Sequence, residues 1–151
     1  MPRQAKEGGA MESIAGLIDL SVLIVEADLQ TRETLFVFFR ILGCATTVVR
    51  NAAEASAAIQ EQRFDLIIAD YWLPDGDGAS VLQSSIARQE GALRILTTAY
   101  PSDMCPIKGD LTGIDEVVHK PFTGCELRNL IGRHAFVRTA RSNAAEMQLH
   151  R

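Results

Sequence analysis

The sequence predicts an α/β protein in which a mainly parallel sheet carries helices on both faces, and three observations support this class. Strand-like runs alternate with helical patterns from Ser21 onward, as in consecutive βαβ units. Four of the strand-like runs are followed by an acid, an acid, a hydroxyl and a cation, which are Glu26, Asp70, Thr98 and Lys120. The chain has 151 residues, 47% hydrophobic and 23% charged, which fits one soluble domain.

The first half of the chain is predicted to form strand, helix, strand and helix. After the apolar run 22–25, Asp28 is a candidate N-cap for a helix that Gly43 ends. The apolar positions of that helix are Leu35, Phe38, Phe39 and Leu42. A β-branched strand at 45–49 follows, and Asn51 then caps a second helix, with Glu54 at the spacing of a capping box.

The middle of the chain is predicted to continue this alternation. The run 64–69 is the third strand and ends on Asp70. A third helix over 79–88, ended by Gly91, is expected to face the core through Val81, Leu82 and Ile86. The fourth strand is 93–97, which is followed by Thr98.

The last third of the chain is predicted to contain a poor helix, a strand and a good helix. Pro106 and Gly109 each oppose a regular helix, so helix four within 101–113 should be short or distorted. The fifth strand, 117–119, ends before Lys120. The last helix begins near Thr123 with Glu126 at capping-box spacing, and its common face is expected to hold Leu127, Leu130, Ile131 and His134.

Asp70 is the main candidate for chemistry. The segment after it, 71–78, is rich in Pro, Asp and Gly and cannot continue a strand. In an open α/β sheet, ligands bind in the crevice at the carboxyl ends of the strands, so an acid there is well placed. The alternative is an Asp that only starts a turn, which Asp70 alone does not exclude.

Taken together, five segments resemble the receiver domain of bacterial two-component response regulators. They are VLIVEAD (22–28), NAAEA (51–55), FDLIIADYWLPDGDG (64–78), ILTTA (95–99) and VVHKPF (117–122). The resemblance implies a doubly wound, five-stranded (βα)5 flavodoxin-like fold. It also implies a domain over residues 21–138, with an N-terminal extension at 1–20 and a tail or helix extension at 139–151.

The resemblance also assigns roles at the strand ends. Asp70 would be the phosphorylated residue, Thr98 the switch hydroxyl and Lys120 the lysine of the site. A Mg²⁺ ion would be held by Glu26, Asp70 and the backbone carbonyl of Trp72. The Lys120–Pro121 step looks like the cis bond typical of the family.

Two positions depart from the family pattern. Ala27 stands where a second acid usually ligates the metal, so weakened Mg²⁺ binding is expected. Asp28 either substitutes for that acid or serves only as a helix cap. Val117 stands where an aromatic switch residue is usual, and Tyr100 is a candidate replacement.

Composition limits the location and partners. The formal net charge of −4 argues against nonspecific nucleic-acid binding. Three cysteines without CxxC spacing give neither a disulfide framework nor a structural zinc site, so reduced thiols in the cytoplasm are expected. The N-terminal residues lack the apolar core of a signal peptide, and no segment is long and apolar enough for a membrane span.

The predicted function is that of a phosphoacceptor receiver in a phosphorelay, not an enzyme. Its partners would be a sensor histidine kinase or a histidine phosphotransfer protein, and a downstream protein bound through the surface. One alternative is a receiver-like interaction module that works without phosphorylation, suggested by Ala27 and Val117. A phosphatase-like hydrolase with an aspartyl nucleophile is disfavoured because Trp72 stands where its second acid is needed.

Overall fold

The computed structural model describes residues 20–100 and 111–134. One sheet contains five parallel strands, which are β1 (Ser21–Val25), β2 (Ala45–Val49), β3 (Leu66–Asp70), β6 (Leu93–Thr98) and β7 (Glu116–His119). Their order across the sheet is β2-β1-β3-β6-β7. A short antiparallel ribbon, β4 (Trp72–Leu73) and β5 (Gly76–Asp77), follows β3.

Four helices accompany the sheet in the described part of the chain. They are α1 (Leu29–Ile41), α2 (Ala52–Glu61), α3 (Gly78–Ser84) and α4 (124–134). The predicted α/β class with a five-stranded parallel sheet is therefore confirmed. The proposed helix four falls mainly on 101–110, outside the described residues, as do the proposed extension up to residue 19 and the segment from 135 onward.

The core lies on both faces of the sheet, as a doubly wound fold requires. On one face, alternate residues of β1 and β3 pack with Leu35 and Phe39 of α1 and with Leu127 and Ile131 of α4. On the other face, the intervening strand residues pack with α2 and α3. The central strands are buried on both faces, which explains their continuous apolar sequence.

Local signals located three helix starts correctly. Asp28 and Asn51 accept hydrogen bonds from the backbone N–H groups of Thr31 and Glu54, at 2.9 and 2.8 Å. Thr123 accepts from the backbone N–H of Glu126 at 3.1 Å. Each bond satisfies an N–H group that the first helical turn leaves without a partner.

Helix α3 differs from the prediction. It ends at Ser84 instead of residue 88, and Ile86, expected in the core, is 39% exposed. The buried guanidinium of Arg94 donates to the Ser85 hydroxyl at 2.9 Å and to the Gln89 carbonyl at 2.6 Å. These bonds, made by a side chain of β6, hold the segment after α3 in a compact turn instead of a continuing helix.

Candidate functional site at the carboxyl ends of the strands

Asp70 is the last residue of β3, and its neighbours position it closely. The Asp70 side chain is 13% exposed, so it is accessible but shielded. The Tyr71 N–H donates to the Thr97 carbonyl at 2.8 Å, which continues the pairing of β3 with β6 past Asp70. The carboxylate therefore lies in the crevice at this edge of the sheet, where the sequence predicted it.

Glu26 directly follows β1 and is 1% exposed. Its backbone N–H donates to the Val49 carbonyl at 3.1 Å, which extends the β1–β2 pairing by one residue. Burial raises the pKa of the Glu26 carboxyl to about 7; the negative charge of Asp70 also raises it, and the hydrogen bond from Lys120 opposes the rise. The site thus holds a buried acid whose ionisation is opposed by its surroundings.

Lys120 brings the two acids together. Its Nζ donates to Glu26 Oε1 at 3.0 Å and lies 3.4 Å from Asp70 Oδ2. The peptide bond between Lys120 and Pro121 is cis, as expected. A cation thus bridges two carboxylates that the sequence separates by more than forty residues.

Thr98 is the last residue of β6 and is fully buried. Its hydroxyl accepts a hydrogen bond from the Tyr100 N–H at 3.1 Å, and its carbonyl accepts from the Lys120 N–H at 2.8 Å. A hydroxyl has one donor hydrogen and two acceptor lone pairs, so the hydroxyl proton can still serve another acceptor. Thr98 and Lys120 are thus connected through their backbones as well as placed at adjacent strand ends.

Asp28 and Trp72 were both candidate metal ligands, and they differ in their contacts and exposure. Both the backbone N–H and the hydroxyl of Thr31 donate to Asp28 Oδ2, and these bonds lower the pKa of that carboxyl. Asp28 therefore acts as the N-cap of α1, the second of its two sequence-based readings. Trp72 lies in β4 and is 56% exposed, and the centroid of its ring lies 6.1 Å from that of Tyr100.

Gly78 supports Asp70 in a way that the sequence did not reveal. A Cβ atom at this position would meet the carbonyl group of Asp70, coming within 2.8 Å of its carbon, and would lie 3.1 Å from Leu96 Cδ1. The Gly78 N–H also donates to the Tyr71 carbonyl at 2.9 Å. The start of α3 therefore presses directly against the peptide that carries the candidate nucleophile.

Asp75 anchors the loop after Asp70, a role that the sequence did not predict. Its carboxylate accepts from the backbone N–H groups of Ala52 and Ala53, at 2.7 and 3.0 Å, and these bonds lower its pKa. Asp75 thereby caps α2 from a distant turn. The Asp-Gly-Asp-Gly segment, residues 75–78, thus forms part of the β4–β5 ribbon and leads into α3.

The loop between β1 and α1 is held by Arg32. Its Nη1 donates to the carbonyl oxygens of Glu26 and Ala27 at 3.1 and 3.3 Å. This contact fixes the backbone beside the buried acid and places positive charge near the position where the second acid of the family pattern is absent.

The side chains at this edge of the sheet determine how a divalent cation would be held. In the described part of the chain, no cluster of three or more His, Cys, Asp or Glu side chains could hold a metal ion. Mg²⁺ nevertheless keeps several waters and needs only one or two carboxylates. Glu26 and Asp70 supply two carboxylates that both lie beside the Lys120 ammonium group, so the residues present fit a Mg²⁺ ion.

Residues 22–132 match the model of the response regulator receiver domain family. The chain belongs to this family, which confirms the resemblance read from the sequence. The transcriptional activator protein PfeR of Pseudomonas aeruginosa is 33% identical over 106 residues, which are 70% of this chain and 34% of that protein. The chain thus spans about a third of the length of this curated relative.

Solved structures agree on the fold. A CheY-like receiver domain protein from Methanospirillum hungatei has a TM-score of 0.72 at 21% identity, covering 81% of this chain and 98% of that one. The receiver domain of a Pseudomonas aeruginosa sensor histidine kinase, solved with magnesium coordinated in the active site cleft, has a TM-score of 0.65 at 27% identity. The match covers 78% of this chain and 98% of that one.

Within residues 20–100 and 111–134, every helix is too short or too polar to span a membrane.

Proposed function

We propose that this receiver domain accepts a phosphoryl group on Asp70 and signals the change to a partner through its surface. The observation that supports this most directly is Lys120 Nζ lying 3.0 Å from Glu26 and 3.4 Å from Asp70. A cation therefore lies beside a partly accessible carboxylate, and Thr98 ends β6, the strand next to the one that Asp70 ends.

In the proposed reaction, a carboxylate oxygen of Asp70 attacks the phosphorus of a phosphohistidine. The new O–P bond forms as the N–P bond breaks, and the imidazole leaves with the electron pair and takes up a proton. Lys120 would neutralise charge on the equatorial oxygens, and Thr98 would donate its hydroxyl proton to one of them. The donor would be a sensor histidine kinase or a histidine phosphotransfer protein.

A bound Mg²⁺ would supply further positive charge over the phosphoryl oxygens. Glu26 and Asp70 would hold it with their carboxylates, together with the backbone carbonyl of Trp72. Because Ala27 removes one carboxylate and Asp28 is engaged as a helix cap, binding should be weak. Magnesium in the receiver domain of the Pseudomonas aeruginosa kinase supports this choice of ion.

The test is to incubate the protein with acetyl phosphate and Mg²⁺ and to measure the phosphoryl adduct by intact mass. Asp70→Asn keeps the size of the side chain and removes the nucleophile, so the adduct should disappear. Asp77→Asn is the matched control, because Asp77 lies in the same loop as an N-cap and Asn caps equally well. An adduct that persists in Asp70→Asn would refute the assignment.

One specific observation favours a second candidate function. Ala27 and Val117 remove an acid and an aromatic ring that the family pattern uses for phosphorylation-dependent switching. A receiver-like module that binds its partner without phosphorylation would have the same fold. It predicts partner binding that is equal in wild type and Asp70→Asn, whereas the main proposal predicts binding that depends on the adduct.

A further inference from the structure

His119 makes a contact that the proposed phosphorylation site does not use. Its ring Nδ1 lies 2.8 Å from the backbone carbonyl oxygen of Tyr100. Because a carbonyl oxygen only accepts, the ring nitrogen is the donor in this bond. The bond connects the end of β7 to the loop that follows β6.

The backbone N–H group of Tyr100 is also hydrogen-bonded. The Tyr100 N–H donates to the hydroxyl of Thr98 at 3.1 Å. The main chain of Tyr100 thus lies between two side chains, with its N–H on Thr98 and its C=O on His119. Movement of the Thr98 hydroxyl toward a phosphoryl oxygen would pull on this N–H group and displace the carbonyl that His119 contacts.

The register of the sheet places both side chains on one face. Thr98 and His119 are paired across β6 and β7, and the Lys120 N–H donates to the Thr98 carbonyl at 2.8 Å. Side chains alternate along a strand, so His119 shares a face with Val117, which packs on the same core cluster as Leu96. The His119 ring therefore lies on the same face as Val117, two residues further along β7. Position 117 is where the family pattern has an aromatic residue.

We propose that His119 is the positioning residue that carries the state of Thr98 to β7, through the main chain of Tyr100, in place of an aromatic ring at position 117. The proposal rests on the proposed function, because the signal that moves Thr98 is phosphorylation of Asp70. The coupling needs no displacement of a large side chain, since it consists of two hydrogen bonds to one residue.

The first test uses the unphosphorylated protein and measures hydrogen exchange of the Tyr100 amide by NMR. His119→Leu removes the donor, so exchange should become about fivefold faster, as expected for loss of one supporting hydrogen bond. His119→Gln retains an N–H donor and should restore a rate close to wild type. Equal exchange rates in wild type and His119→Leu would overturn the proposal.

His134→Leu is the matched control. His134 also hydrogen-bonds one residue of β7, its Nε2 lying 3.0 Å from Glu116 Oε1, at the opposite end of that strand from His119. Its removal should leave Tyr100 exchange unchanged. Faster exchange in this variant as well would mean general loosening of β7 and would count against a specific role of His119.

The second test adds acetyl phosphate and Mg²⁺ and follows the amide resonances of 116–119, with the adduct measured in parallel by intact mass. In His119→Leu the adduct should form to the wild-type extent while the resonance shifts in β7 are lost, and His119→Gln should retain them. Full shifts in His119→Leu would overturn the proposal. If wild type forms no adduct, the proposed function fails, and the exchange rates alone then decide the coupling.

Discussion

Gly78→Ala is the substitution that most directly tests how the fold holds Asp70. The added Cβ would lie 2.8 Å from the Asp70 carbonyl carbon, whereas carbon atoms in contact are separated by about 3.5–4.0 Å. Roughly 1 Å of movement is therefore required. The obstructing atoms belong to backbone that β3 and its neighbours hold in place, so the movement cannot be absorbed by a side-chain rotation.

The expected cost follows from this geometry. Overpacking of this kind costs about 1–3 kcal/mol, which exceeds the gain of about 0.5–1 kcal/mol from replacing Gly by Ala in a helix. The midpoints of these ranges leave a net loss of about 1 kcal/mol, which would lower the melting temperature by roughly 2–4 °C in a chain of this size. Displacement of the nucleophile by about 1 Å should also slow phosphorylation by up to about 100-fold.

Gly132→Ala provides the matched control. Gly132 lies in α4, and an added Cβ there would meet no atom within 4 Å. This variant should gain about 0.5–1 kcal/mol and should be phosphorylated at the wild-type rate. Urea unfolding and the rate of adduct formation with acetyl phosphate measure both effects. Equal stability and equal rates for Gly78→Ala and wild type would refute the argument that Gly78 supports Asp70.

Three further predictions concern the site. The pKa of Glu26 is raised from 4.5 to about 7, so the folded state binds this proton more tightly than the unfolded state does. The contribution of Glu26 to the free energy of unfolding therefore falls as the pH rises from about 4.5 to 7. Glu26→Gln should remove that part of the pH dependence in urea unfolding at a series of pH values, and an unchanged profile would contradict the assignment. Ala27→Asp should tighten Mg²⁺ binding and speed phosphorylation, as measured by titration and adduct formation; equal affinities would mean that the existing acids already suffice. Replacing Trp72 and Tyr100 by Ala should accelerate loss of the acyl phosphate, because their paired rings would shield it from water; unchanged decay of the adduct would show that the rings lie away from it.

Local patterns in the sequence predicted the order along the chain of the five strands of the parallel sheet and of the four described helices, together with the residues at the strand ends. Apolar runs and helical periodicity depend on which face of an element is buried, and this information is local. The caps Asp28, Asn51 and Thr123 are equally local, because each accepts from an N–H three residues away. Asp70, Thr98 and Lys120 could be selected because parallel strands bring their carboxyl ends to one edge of the sheet.

The support of these residues could not be read from local patterns, because it comes from contacts between elements. The close approach of Gly78 to Asp70, the cap that Asp75 places on α2 and the end of α3 at Ser84 depend on atoms far apart in the chain. The contact of His119 with Tyr100 depends on the register of β6 and β7. Periodicity and capping motifs describe a residue relative to its own element, whereas these contacts arise from the packing of one element against another.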